Sequence, residues 1–161
     1  MSNLLRRTFS GIVYVLLFLF AILFSKESYV ILTSLFGLLC IWEFSKLINL
    51  KGLIGYVFFG ITLILILKRL ESYAVVLILG ITIISSLHLI SSLLSKKEIT
   101  YSNDRSKFGI LTRYLIFSMI FLILLPIYKG GYNSSLMICI LLMIWTNDSF
   151  AFFVGKNMGK R

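Results

Sequence analysis

Six apolar stretches, separated by short polar clusters, make up most of the chain: Thr8–Phe24, Ser28–Trp42, Gly52–Leu67, Ser72–Ser95, Tyr114–Tyr128 and Gly130–Asn147. Within each stretch the apolar residues run on continuously instead of alternating. That pattern predicts helices and excludes a transmembrane β-barrel. A helix that crosses a bilayer needs about 20 residues, and several stretches are shorter. Flanking Lys and Arg can extend them, because their stems lie along apolar surface while the charge stays in water. Alternatively, the first two stretches form a hairpin that does not fully cross. Only Ser25-Lys26-Glu27 separates them, so a tight turn must join them.

Composition sharpens this picture. Of 161 residues, 59% are hydrophobic and 14% charged, and the mean hydropathy is +1.00. A soluble domain has about 25% charged residues, so a soluble globular fold and disorder are both excluded. The expected fold class is all-α: a polytopic transmembrane helical bundle of about six membrane segments, forming one membrane-embedded domain over residues 1–161. No A-x-A-like site follows the first stretch, which therefore reads as a retained membrane segment and not a cleaved signal peptide. Cys40 and Cys139 lie far apart in apolar stretches with no CxxC or Cys/His cluster, and read as packed thiols.

The net charge of +10 does not indicate a nucleic-acid partner, because the basic residues fall between apolar runs. With six crossings and a cytosolic N-terminus, the 16 Lys and Arg residues divide 12 inside against 4 outside. The outer ones are Lys26, Lys68, Arg69 and Lys129. This positive-inside asymmetry makes the N-terminus and the C-terminal Gly155–Arg161 cytoplasmic at a cell (inner) membrane. The longest polar interval, Lys96–Arg113, reads as a cytosolic loop facing anionic headgroups.

Ionisable residues within apolar runs are candidate functional groups, since a charge is costly there. Glu43 has Lys46 three residues on, and a local ion pair at the interface accounts for it. His88 shares a helical stripe with Ser85, Ser92 and Ser95, which suits hydrogen-bonded helix packing. Asp148 is the most informative. Gly155 and Gly159 follow at i+7 and i+11, on the same face of a helix, and Lys156, Lys160 and Arg161 cluster beyond. An acid can hold Mg²⁺, glycines admit close approach and the cations can neutralise phosphate. On spacing alone, a Gly-xxx-Gly helix contact with a positive anchor describes these residues first.

The run Asp148-Ser149-Phe150-Ala151-Phe152-Phe153-Val154-Gly155-Lys156, with Gly159-Lys160, resembles the D-[ST]-x-A-[YF]-x-x-G-[RK]-x-x-G-K stretch of phosphatidate cytidylyltransferases, the membrane CDP-diacylglycerol synthases. Arg6-Arg7 with Ser10-Gly11-Ile12-Val13, and Trp42-Glu43-Phe44, are similar to that family in a weaker way. The resemblance implies transfer of a cytidylyl group from CTP to phosphatidate, in phospholipid biosynthesis at the membrane lipid surface. It implies Mg²⁺ as cofactor, with Asp148 as catalytic and metal-binding residue. Ser149, Gly155, Lys156, Gly159 and Lys160 would be substrate-binding, and a homodimer is compatible. Lys156 stands where the family often has Arg, which loses the bidentate fork for phosphate. Family members continue past the position of Arg161 with further catalytic residues. The chain therefore reads as the N-terminal part of such an enzyme, expected to be inactive alone. A CTP-dependent polyprenol-type lipid kinase and a non-enzymatic transporter or scaffold are the alternatives.

The charge asymmetry makes a direct prediction. A membrane-impermeant label applied to intact cells should leave the Lys156–Arg161 tail unmodified and should reach it once the membrane is opened. Modification in intact cells would reverse the orientation.

Overall fold

The computed structural model describes residues 3–68, 72–95, 103–128 and 131–159. Among the described residues the protein is all-α apart from one ribbon of two short strands, as the apolar runs predict. Helices α1 (Asn3–Phe24), α2 (Lys26–Leu47), α3 (Ile54–Lys68) and α4 (Ser72–Leu94) come first. A fifth helical rod consists of α5 (Asp104–Ile110), a π-helical segment (Leu111–Ile116) and α6 (Phe117–Leu124). Strands β1 (Ile127–Tyr128) and β2 (Gly131–Tyr132) precede α7 (Ser134–Met158). Among the described residues, four segments are long and apolar enough to cross a membrane: Lys26–Leu47, Val75–Leu94, Asp104–Leu124 and Ser134–Gly155. Gly11–Phe24 and Ile54–Lys68 are shorter apolar helices. All six expected stretches are thus helical, and four have the length of a full span.

The boundaries differ from the sequence pattern in two places. Half of the expected Lys96–Arg113 loop is helix, because the rod begins at Asp104; residues 96–102 lie outside the described ones. The fifth stretch also ends early, at Leu124. Pro126 has no backbone N–H to continue a helix. The chain turns there into an antiparallel ribbon that pairs Ile127 with Tyr132 and Tyr128 with Gly131.

By contacts the chain forms two compact units, residues 1–32 with 124–161, and residues 33–123. In the first, a single residue, Ser25, separates α1 from α2. The Ser28 N–H donates to Ser25 Oγ, and the Ser25 N–H donates to Ser28 Oγ, each at 3.1 Å. This is a reciprocal capping box, with Ser in the position usually held by Glu or Gln. The Ser28 hydroxyl also lies 2.6 Å from the Ala21 carbonyl oxygen, at the end of α1. One pair of serines therefore serves both helix ends. The Tyr132 hydroxyl donates to the Ile22 carbonyl at 2.9 Å, and burial pushes its phenol above the usual tyrosine range. Tyr29, wholly buried, packs on the Tyr132 ring at 6.0 Å and lies 3.5 Å from the Met137 sulfur. These contacts tie α1, α2, the ribbon and α7 together.

In the second unit, α2 ends in a Schellman motif. Asn49 takes φ 51°. The Leu50 N–H donates to the Ser45 carbonyl at 2.9 Å, and the Asn49 N–H to the Lys46 carbonyl at 3.2 Å. The core around Ile41, Phe59, Leu111, Ile116 and Ile120 is almost fully buried. Two glycines permit its close approaches. A Cβ at Gly37 would lie 2.9 Å from the Phe59 ring, and one at Gly55 2.7 Å from the Leu111 side chain. Phe58 packs edge-on against Phe108 at 5.6 Å. Outside these cores, large apolar side chains face outward on the long helices: Phe20, Leu87 and Phe150 are each more than 60% exposed. A surface of this kind suits lipid and would be a liability in water.

Removing the N-cap tests the α1–α2 turn. Ser25→Ala should lower the stability of the detergent-solubilised protein by about 1 kcal/mol, the usual cost of a lost cap. Thermal unfolding followed by circular dichroism reads the change, and an unchanged midpoint would remove the capping box from the account.

Candidate functional site

The residues singled out at the end of the chain share one helix. α7 starts at an Asn133 cap, whose Oδ1 accepts the Leu136 N–H at 3.1 Å. It then continues through Asn147 and Asp148 to Met158. No proline stands in that run, and polar positions 146–149 do not end it. The Thr146 hydroxyl donates back to the carbonyls of Leu142 and Met143, at 2.8 and 3.0 Å, and so stays satisfied within an apolar helix.

Asp148 and Ser149 are both exposed. No hydrogen bond or ion pair to another described residue holds either of them. The acid stands on an open helix face. Gly155 lies close to two turns further on and shares that face. Nothing comes within 4 Å of where its Cβ would be. Ser149 lies on the neighbouring face, in a shallow cavity of about 200 Å³ with Trp145, Phe150 and Phe153. Lys156 belongs to the helix by its backbone. Lys160 lies outside the described residues.

Gly159 has a local role at the end of the helix. It is the residue after the helix, with φ −67° and ψ 110°, and its N–H donates to the Gly155 carbonyl at 3.1 Å. A Cβ at this position would collide with that same carbonyl oxygen. The requirement for glycine here is therefore local, a matter of ending the helix. Asp148 and Gly155 remain as the pair on a common face.

Three other readings from the sequence change. The Lys46 ammonium sits 3.5 Å over the Trp42 ring, a cation–π contact instead of an ion pair with Glu43. Glu43 is exposed, and the ion pair that the described residues do make is Lys107 with Asp104, at 3.8 Å. On α4, the Ser92 hydroxyl donates to the His88 carbonyl and Ser95 to the Ser91 carbonyl. These hydroxyls satisfy themselves within their own helix and do not bridge to another. Cys139 is exposed and Cys40 half-buried, both free, so only Cys40 is even partly packed.

Among the described residues no three His, Cys, Asp or Glu side chains come together as a metal cluster. Mg²⁺ commonly takes only one or two protein carboxylates, with water and substrate phosphates completing its shell. A single unpartnered carboxylate on an open face fits that limited requirement.

Residues 5–161 match the cytidylyltransferase family. The chain belongs to this family of nucleotidyltransferases, which makes it a CTP-utilising transferase in general terms, and its four long apolar helices mark it as a membrane protein. No curated protein and no solved structure gives a match.

The two glycines should separate on substitution. Gly155→Ala meets open space and improves helix propensity, so it should raise stability by up to about 1 kcal/mol. Gly159→Ala must displace the cap and should lower the unfolding midpoint. Equal effects in thermal unfolding would contradict the distinct roles assigned to them.

Proposed function

We propose that the protein is a phosphatidate cytidylyltransferase, acting at the cytoplasmic leaflet of the cell membrane. The observation that carries this reading is the unpartnered Asp148 carboxylate sharing an open face of α7 with Gly155, within a chain that matches the cytidylyltransferase family over nearly its whole length. The particular lipid comes from the resemblance of the Asp148–Lys160 run, and the leaflet from the 12-to-4 charge asymmetry.

In the proposed reaction a phosphate oxygen of phosphatidate attacks the α-phosphorus of CTP. A new P–O–P link forms, the bond from the α-phosphorus to the bridging oxygen breaks, and pyrophosphate leaves with the electron pair. No covalent enzyme intermediate is required, so protein groups contribute by positioning and by countering charge. Mg²⁺, when bound, would draw charge from the triphosphate oxygens. Asp148 would supply one ligand to it, directly or through water, with the Ser149 hydroxyl nearby as a hydrogen-bonding group. Lys156 and Lys160 would attract phosphate, and Gly155 would leave room for it against the helix backbone. Asp148 lies in the last two turns of the Ser134–Gly155 segment, at its cytoplasmic end by the charge asymmetry, and that position supports the reading because CTP arrives from that side.

The test is Asp148→Asn in the complete gene product, assayed with cytidine-labelled CTP and phosphatidate in detergent micelles. Turnover should fall about a hundredfold, the usual scale for a lost electrostatic contact to a reacting phosphate, with membrane insertion unchanged. Label should enter the lipid fraction of the wild type. Phosphorylation of a polyprenol with release of CDP would instead establish a lipid kinase, and flux into vesicles without CTP would establish a transporter. Wild-type turnover in the variant would remove Asp148 from the site.

A further inference from the structure

The π-helical segment creates a second polar feature, independent of α7. Its Arg113 belongs by sequence to a basic loop, yet the structure makes it part of the helical rod, on an exposed side. The Arg113 Nε–H donates to the Gly109 carbonyl at 3.1 Å, and a Cβ at Gly109 would lie 3.4 Å from Nη2. The guanidinium thus lies along the helix over a glycine. No carboxylate pairs with it among the described residues, and a guanidinium remains charged at any ordinary pH.

α4 packs against the π-helical segment. Between them is a cavity of about 230 Å³, with His88 and Ser85 from α4 and Arg113 and Tyr114 from the rod on its polar side. The rest of the wall is apolar, from Ile84, Leu89 and Ile110. A soluble anion would gain nothing from those three residues. An anionic phospholipid would use both parts. Its phosphate would meet Arg113, with His88, Ser85 and Tyr114 as further hydrogen-bonding groups, and its acyl chain would lie on the isoleucines and leucine. The location agrees with this occupant. By the charge asymmetry Arg113 lies in the cytoplasmic half of the Asp104–Leu124 segment, and its side chain runs back to Gly109, toward the headgroups at that end.

We propose that this groove is a binding site for one anionic phospholipid, held through its phosphate by Arg113 and His88. The π turn is what makes it, since the extra residue in one turn re-aims the positions that follow. The site stands whether or not the chain transfers cytidylyl groups, and its occupant is not required to react.

Native mass spectrometry of the detergent-solubilised chain, titrated with phosphatidylglycerol or with phosphatidylcholine, tests the proposal. One phosphatidylglycerol should bind in preference to phosphatidylcholine. Arg113→Gln should weaken it about tenfold, as loss of a charged hydrogen-bonding partner does, and His88→Gln should weaken it less. Lys51→Gln, a cation outside the groove, should leave binding unchanged. A photoactivatable phosphatidylglycerol needs no variant, and should label residues 84–89 and 110–114 of the wild type. Equal binding of the two lipids, label confined elsewhere, or unaltered binding in Arg113→Gln would each overturn the proposal. Inorganic phosphate that displaces the lipid at equal concentration would overturn it too, since the apolar wall would then contribute nothing.

Discussion

Backbone polar groups in an apolar medium have only the protein to bond with, and the rest of this structure depends on that constraint. With apolar side chains facing outward on the long helices, water is not available along most of their length. Each helix end must therefore find a partner from nearby sequence. Ser25 and Ser28 do this for α1 and α2, Asn49 for the end of α2, and Asn133 for the start of α7. Where Pro126 interrupts the ladder, its carbonyl accepts the Asn133 N–H at 2.8 Å across the ribbon. Polar residues that looked like candidate chemistry in an apolar chain are mostly answers to this one problem.

That view separates the polar residues into two kinds. Ser86, Ser92, Ser95, Thr146 and Gly159 are accounted for by bonds to their own helix or by the need to end it. Asp148, Ser149, His88 and Arg113 are not. Asp148 bears a charge with no partner among the described residues, at a place where charge is costly, and the Arg113 guanidinium is held by a single bond to a carbonyl. A cation would balance the first, and an anion such as a lipid phosphate would balance the second. Both are groups that the fold itself does not neutralise among the described residues.

The helices and the motif at the end of the chain were legible because their signals are local. A continuous apolar run is a helix in any arrangement of its neighbours, and the Asp148–Lys160 run is recognisable by residue type and spacing. The start of the fifth rod was not legible, because Asp104–Lys107 is polar and becomes helix through packing. Phe108 meets Phe58, and the Lys107 ammonium donates to the Asn49 carbonyl at 3.2 Å. The Glu43–Lys46 pair was misread for a related reason. Both partners are within reach by spacing, but Lys46 has an aromatic face at 3.5 Å as a competing choice. The conflict of a Gly159 Cβ with the Gly155 carbonyl was not legible, because it exists only in three dimensions.

By itself the sequence determined the membrane character, the number and approximate place of the helices, the clustering of positive charge between apolar runs and the resemblance at Asp148. These depend on hydropathy, charge and spacing, which each segment carries alone. Tertiary structure decided the length of the spans, the π turn, the exposure of Asp148 and the meeting of Arg113 with His88 across a groove. Those depend on which side chains far apart in the chain compete for the same space. A pattern along one dimension holds no record of that competition.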